Sequence, residues 1–116
     1  MRFAFLFPAV LLLAACNNEP TFTAGQMPEC DSPYTKHLFT SAIHQSPRGQ
    51  QGLKIIQLGA TEDYSGASKL PPDKIDLRFC KVHAFTNAGE GDMHFTLKWM
   101  NTEKSKVWLQ VTVSTI

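Results

Sequence analysis

Met93-His94-Phe95-Thr96-Leu97-Lys98-Trp99-Met100 alternates apolar and polar residues almost without a break. Met93, Phe95, Leu97 and Trp99 therefore share one face of an extended chain, and His94, Thr96 and Lys98 the other, which predicts a half-buried β-strand. The pattern recurs downstream, where Val107, Leu109, Val111 and Val113 fall on one face of a strand over 106–115, reached through a turn at 101–105. Upstream, 74–85 also reads as a strand, but its phase changes. Ile75, Leu77 and Phe79 alternate one way, then Cys80, Val82 and Ala84 the other, so that either a bulge lies near Phe79-Cys80 or both faces are partly buried. Leu53-Lys54-Ile55-Ile56-Gln57-Leu58, bounded by Gly52 and Gly59, is the first strand. Between these runs, 61–73 is polar, with Gly66 and Pro71-Pro72, and predicts a long exposed loop that serves as a contact region or as a solvated connector.

Ahead of the strands stands a helix signal. In Asp31-Ser32-Pro33, Ser32 can accept from orphan amides as N-cap and Pro33 suits the first helical position. Thr35, Leu38, Phe39, Ala42 and Ile43 then line one helix face to about His44, and Ser46-Pro47 with Gly49 stop it. Residues 17–26 are polar and aperiodic, with Pro20 and Gly25, which predicts a tether whose function is reach.

The amino-terminal end has another character. Arg2 precedes an apolar run from Phe3 to Leu13, shorter than the roughly 20 residues a membrane-spanning helix needs, and this reads as a signal peptide. Its last residues, Leu13-Ala14-Ala15-Cys16, resemble the lipobox of bacterial lipoproteins, whose cysteine receives a diacylglycerol and becomes the new amino terminus. The resemblance implies that Cys16 is lipidated and that the mature protein is anchored rather than spanning, since several acyl chains hold far more firmly than one. Asn17 stands where an aspartate would favour inner-membrane retention, which implies the outer membrane, facing the periplasm.

With Cys16 assigned to lipid, Cys30 and Cys80 remain as an even pair in an oxidising compartment and are expected to be joined. The bond would staple the helix start onto the strand that carries Cys80, so Cys80, Val82 and Ala84 are placed inward. The expected fold is α+β: one N-terminal helix packed on a curved four-stranded antiparallel meander, with one disulfide. Residues 1–15 form the signal peptide, 16–29 the anchor and tether, and 30–116 a single periplasmic domain. About 100 residues remain after the signal, enough for one core only. A helix clamped onto such a meander is loosely similar to small cystatin-like and NTF2-like periplasmic domains.

This arrangement predicts what the outer sheet face carries: Phe79, Lys81, His83, His94, Thr96, Lys98, Trp108 and Gln110. One allowed pairing across the turn at 87–90 sets His83 opposite His94, and a second sets Lys98 opposite Trp108. Phe79 and Trp108 are covered by the 61–73 loop, or Lys98 merely lies over the indole, or the two aromatics form a binding face, tryptophan being enriched at interface hot spots. Phe79, His83, His94, Lys98 and Trp108 are the candidate partner-binding residues. His83 and His94 could share a cation, but a protein metal site needs three or four ligands, and no metal or other cofactor is expected. His37 and His44 are expected to be solvated. Phosphate loops, HExxH and nucleophile–base sets are absent from the sequence, so catalysis is not expected.

Eleven Lys and Arg against ten Asp and Glu leave no basic excess for nucleic acid. Ser65-Gly66-Ala67-Ser68-Lys69 resembles the Ser-Gly-x-x-Tyr loop of lipid-anchored periplasmic lysozyme inhibitors up to its last position, where Lys69 replaces tyrosine. Those inhibitors are nearly all-β, and the Ser32–His44 helix departs from them. The function expected is a lipid-anchored envelope protein that binds or inhibits a periplasmic protein partner. An accessory lipoprotein of a secretion or assembly complex is the alternative, and an enzyme the third reading.

Overall fold

Ser32 caps the first helix among the described residues. In the computed structural model, which describes residues 20–64 and 69–115, Ser32 Oγ accepts from the Thr35 N–H at 3.1 Å and Pro33 opens helix α1, Pro33–Gln45. Thr35, Phe39 and Ile43 recur at helical spacing and are buried, while Leu38 and Ala42 flank them half-buried. The buried Thr35 hydroxyl donates to the Glu29 carbonyl at 2.6 Å, so its polarity is satisfied locally. Ser46 ends α1 as expected. It also starts a second short helix, α2, Pro47–Gln50, by accepting from Gly49 N–H at 3.2 Å. Gly49 fits because a Cβ there would lie 2.1 Å from the Ile43 carbonyl oxygen.

Four antiparallel strands form one open sheet in the order β1-β2-β3-β4: β1 Ile55–Asp63, β2 Leu77–Thr86, β3 Gly89–Trp99 and β4 Val107–Ser114. A short 3-10 turn at Pro72–Lys74 leads into β2. The inner face of the sheet is Cys80, Val82 and Ala84 of β2, Met93, Phe95 and Leu97 of β3, and Val107 of β4, all buried, with Leu109 and Val111 half-buried. Helix α1 covers this face through Phe39, whose ring lies 5.1 Å from that of Phe95. A disulfide joins Cys30 to Cys80, with Cα atoms 5.7 Å apart.

Several expectations are corrected. Strand β2 has no bulge at Phe79-Cys80, because its register with β3 runs unbroken from Leu77 opposite Lys98 to Thr86 opposite Gly89. Arg78 takes the inward position there, and Leu77 and Phe79 turn outward. Strand β1 starts two residues late and continues through Asp63 into the expected loop, with register shifts between Ile55 and Gln57 and between Leu58 and Thr61. Val113 is not a core residue. A shift between His94 and Phe95 moves β4 by one place, so that Val111 faces Phe95 but Val113 stands opposite His94, 51% exposed.

Residues 20–30 pack on the domain where a tether was expected. Met27 is buried, Phe22 lies 4.6 Å from Tyr34 and 6.0 Å from Trp99 by ring centres, and Gly25 N–H donates to the Lys104 carbonyl. Cys16 and residues 1–15 lie outside the described residues, as do Ser65, Gly66, Ala67 and Ser68 of the inhibitor-like loop.

Candidate functional site

With α1 and residues 20–30 on the inner face, no helix among the described residues covers the opposite face of the sheet. Period two along three strands brings its residues into rows. Leu77, Lys98 and Trp108 form one row across β2, β3 and β4, and Phe79, Thr96 and Gln110 the next. Glu62, Lys81, His94 and Val113 form a third row that reaches β1. Phe79, His83, His94, Lys98 and Trp108 therefore all lie on this one face, as the alternation predicted.

Their neighbours differ from the prediction in one respect. Lys98 does stand opposite Trp108, its Nζ 5.3 Å from the ring centre, a cation–π contact. His83 stands opposite Asp92, whereas His94 faces Lys81. The strands pair up to a two-residue turn at Asn87-Ala88, tighter than the expected turn over 87–90. Gly89 permits this with φ at 118°, and Thr86 Oγ1 closes the turn by donating to the Gly89 carbonyl at 2.7 Å and accepting from Ala88 N–H. The register consequently sits two residues from the one that would join the histidines.

Three clusters result. In the first, Tyr64 stacks on Phe79 at 6.1 Å and tilts against His94 at 5.6 Å, beside a Glu62–Lys81 ion pair at 3.4 Å. Lys98 and Trp108 are the second. In the third, His83 Nδ1 lies 2.9 Å from Asp92 and Nε2 3.2 Å from Glu90, with the Phe85 ring edge-on at 5.0 Å. The hydrogen bond to Asp92, then that to Glu90, raises the His83 pKa above its ordinary value, and the same bond to His83 lowers that of Asp92. Among the described residues, no group of three His, Cys, Asp or Glu side chains is placed to hold a metal ion.

The sequence does not single out Tyr64, Glu62, Glu90 and Asp92: the first two fall within the expected 61–73 loop, and Glu90 and Asp92 in loops or near strand ends. The available signal was that Thr61-Glu62-Asp63 continues an extended run past Gly59. Tyr64 partly shields Phe79, yet Phe79 remains 37% exposed, Leu77 41% and Trp108 47%. Aromatic faces, an ammonium group and an imidazole thus share one solvent-facing surface, a composition suited to non-covalent contact with a partner.

Arg78 makes a second polar centre, on the inner side. Its side chain is 4% exposed, pairs with Asp63 and donates to the Met27 carbonyl at 3.4 Å, while its Nε finds no acceptor among the described residues. It floors a recess of about 350 Å³ that Glu29, Asp31, Thr61 and Leu70 also line. His44 accepts at Nε2 from the Ile55 N–H at 3.2 Å, so it ties α1 to β1 in addition to being solvated.

In comparisons with known proteins, no family model, no curated protein and no solved structure matches the chain.

Proposed function

We propose that this chain is a lipid-anchored binding protein of the bacterial envelope, held at the periplasmic face of the outer membrane through Cys16, whose outer sheet face engages a protein partner. The observation that carries the binding part is the exposed set Leu77, Phe79, Tyr64 and Trp108 on one sheet face, opposite the face that α1 covers. Exposed apolar side chains gathered on one face are a feature of interaction sites, and tryptophan and tyrosine are enriched at the hot spots of such sites. The anchoring part rests on Leu13-Ala14-Ala15-Cys16 after a short apolar run. No helix among the described residues is long and apolar enough to cross a membrane. The anchor would hold the domain close to its partner, and the partner would be a hydrolase or toxin that the domain blocks.

The test is affinity capture of tagged chain from cross-linked envelopes, with Trp108→Ala and Phe79→Ala as parallel baits and mass spectrometry of what is retained. One enriched protein, lost with either variant, is the expected result. A soluble hydrolase would identify an inhibitor, and a membrane assembly would point to an accessory component of that assembly. Equal capture by all three baits would reject the sheet face as the site. Separately, Cys16→Ala should move the protein out of the membrane fraction, and retention there would reject the anchor.

A further inference from the structure

Among the described residues, strand β4 is bonded to β3 on one side only, so alternate residues over Val107–Val111 present N–H and C=O groups on the other side without a neighbouring strand. Folded proteins usually blunt such an edge with charges, proline or bulges. The other edge of this sheet follows that practice: β1 carries Glu62 and Asp63 and two register shifts. Val107-Trp108-Leu109-Gln110-Val111-Thr112-Val113-Ser114 contains no charge, no proline and no glycine, and its single shift falls after Val111. Beneath it, between α1, α2 and the inner face of β4, runs an open groove of about 430 Å³, lined by Ala42, Ile43, Pro47, Leu53, Leu109 and Val111 among others. An extended backbone matches the spacing of the groups along the edge. A strand added about 4.8 Å from β4 would set every second side chain over that apolar groove.

We infer that this added strand is β4 of a second copy of the chain, antiparallel to the first and centred on Leu109. A two-fold contact must be complementary to itself. Val107-Trp108-Leu109-Gln110-Val111, the part of β4 in regular register, meets that requirement. Read from either end, it places a valine, the leucine and a valine inward and one large side chain on each side of the leucine outward. Pairing about Leu109 sets Leu109 against its mate, Val107 against the mate's Val111 on the inner face, and Trp108 beside the mate's Gln110 on the outer face. No like charges are brought together, because the strand has none. The inward residues of each copy close the groove of the other, and the two four-stranded sheets become one continuous sheet. The contact uses the edge of the sheet and leaves Phe79, Tyr64 and His94 of the outer face uncovered.

The experiment measures the mass of the full chain in mild detergent by sedimentation over about a hundredfold range of protein concentration, since self-association follows mass action. Cross-linking follows in Leu109→Cys and, as a control on the opposite edge, Gln57→Cys. The expected result is a species of twice the single-chain mass that dissociates on dilution. Under mild oxidation, a 109-to-109 disulfide mapped by mass spectrometry should form about tenfold or more faster than a 57-to-57 disulfide, because pairing raises the local concentration of the two thiols. In the unsubstituted chain, amide exchange over Val107–Val111 should slow as concentration rises while that of Gln57 does not, which keeps the test valid if a variant folds poorly. Single-chain mass at every concentration would overturn the inference. So would a double-mass species in which Leu109→Cys cross-links no faster than Gln57→Cys, since the copies would then meet through another face.

Discussion

His83 bridges two carboxylates, and its protonation state decides whether they repel or are held. Because the bond to Asp92 raises the folded-state pKa of His83 above about 6.5, the stability this contact supplies is complete below that value. It is lost as pH rises through the elevated midpoint. For Asp92 the folded-state pKa is lowered, so its share is complete above about 3.8 and is lost as pH falls through the lowered midpoint. The contact is therefore whole between the two. NMR titration of the His83 ring should give a midpoint above that of an unstructured histidine, and Asp92→Asn should bring it down; an unshifted midpoint in the parent chain would refute the bridge. Arg78 presents the buried version of the same physics. Removing one partner of a buried pair leaves the other charge uncompensated, so Asp63→Asn should lower unfolding free energy by about 3 kcal/mol. Arg78→Met combined with Asp63→Asn should cost less than the two single changes added, since the double variant strands no charge. Urea unfolding of the three variants measures both. Alternation could not announce Arg78, because a cation in the middle of a strand reads as solvent-facing unless its carboxylate partner is also known to point inward.

Among the elements, α1 and β3 were legible because their signals are local. Ser32, Pro33 and the Thr35-Phe39-Ile43 stripe specify a helix start and a buried face within a few turns, and Met93 to Trp99 specify an inner and an outer face by period alone. The cap can be tested directly. Ser32→Ala removes the acceptor for Thr35 N–H and the hydroxyl that donates to Thr35 Oγ1 at 2.9 Å, and should cost about 1 kcal/mol in urea unfolding, whereas Ser32→Asp should retain most of that stability. What the pattern could not supply was register. Sliding β3 along β2 by two residues keeps inward residues opposite inward residues, so the pairing that joins His83 to His94 and the one that joins His83 to Asp92 satisfy alternation equally. Turn geometry at Asn87-Ala88 made the choice. The irregular edges were hidden for a related reason: the shifts around Gly59 and beyond Val111 break the period that would have revealed Tyr64 as a neighbour of Phe79 and Val113 as an outer residue. The candidate face itself was legible, since five of its residues follow from β2, β3 and β4 alone, while its acidic and tyrosine neighbours depend on β1 and the hairpin.

For the whole molecule, the covalent link between Cys30 and Cys80 dominates what can be measured. Closing a loop with a separation of 50 residues restricts the unfolded chain enough to be worth about 4 kcal/mol. The paired variant Cys30→Ala with Cys80→Ala should therefore shift the urea midpoint downward by that amount divided by the transition slope, and an unchanged midpoint would show that the unfolded chain is already restrained by other means. The amino-terminal packing of Phe22 and Met27 gave no warning in the sequence, because isolated apolar residues in a polar, glycine-containing stretch carry no period. Their position has a mechanical consequence. A pull applied from the amino-terminal side first meets Phe22 wedged against Tyr34 and Trp99, then Met27, and then Cys30, where the bond carries the tension straight into β2, an interior strand flanked on both sides. Helix α1 lies beyond that junction and is bypassed, so the chain can be tugged at one end without its helix being peeled from the sheet.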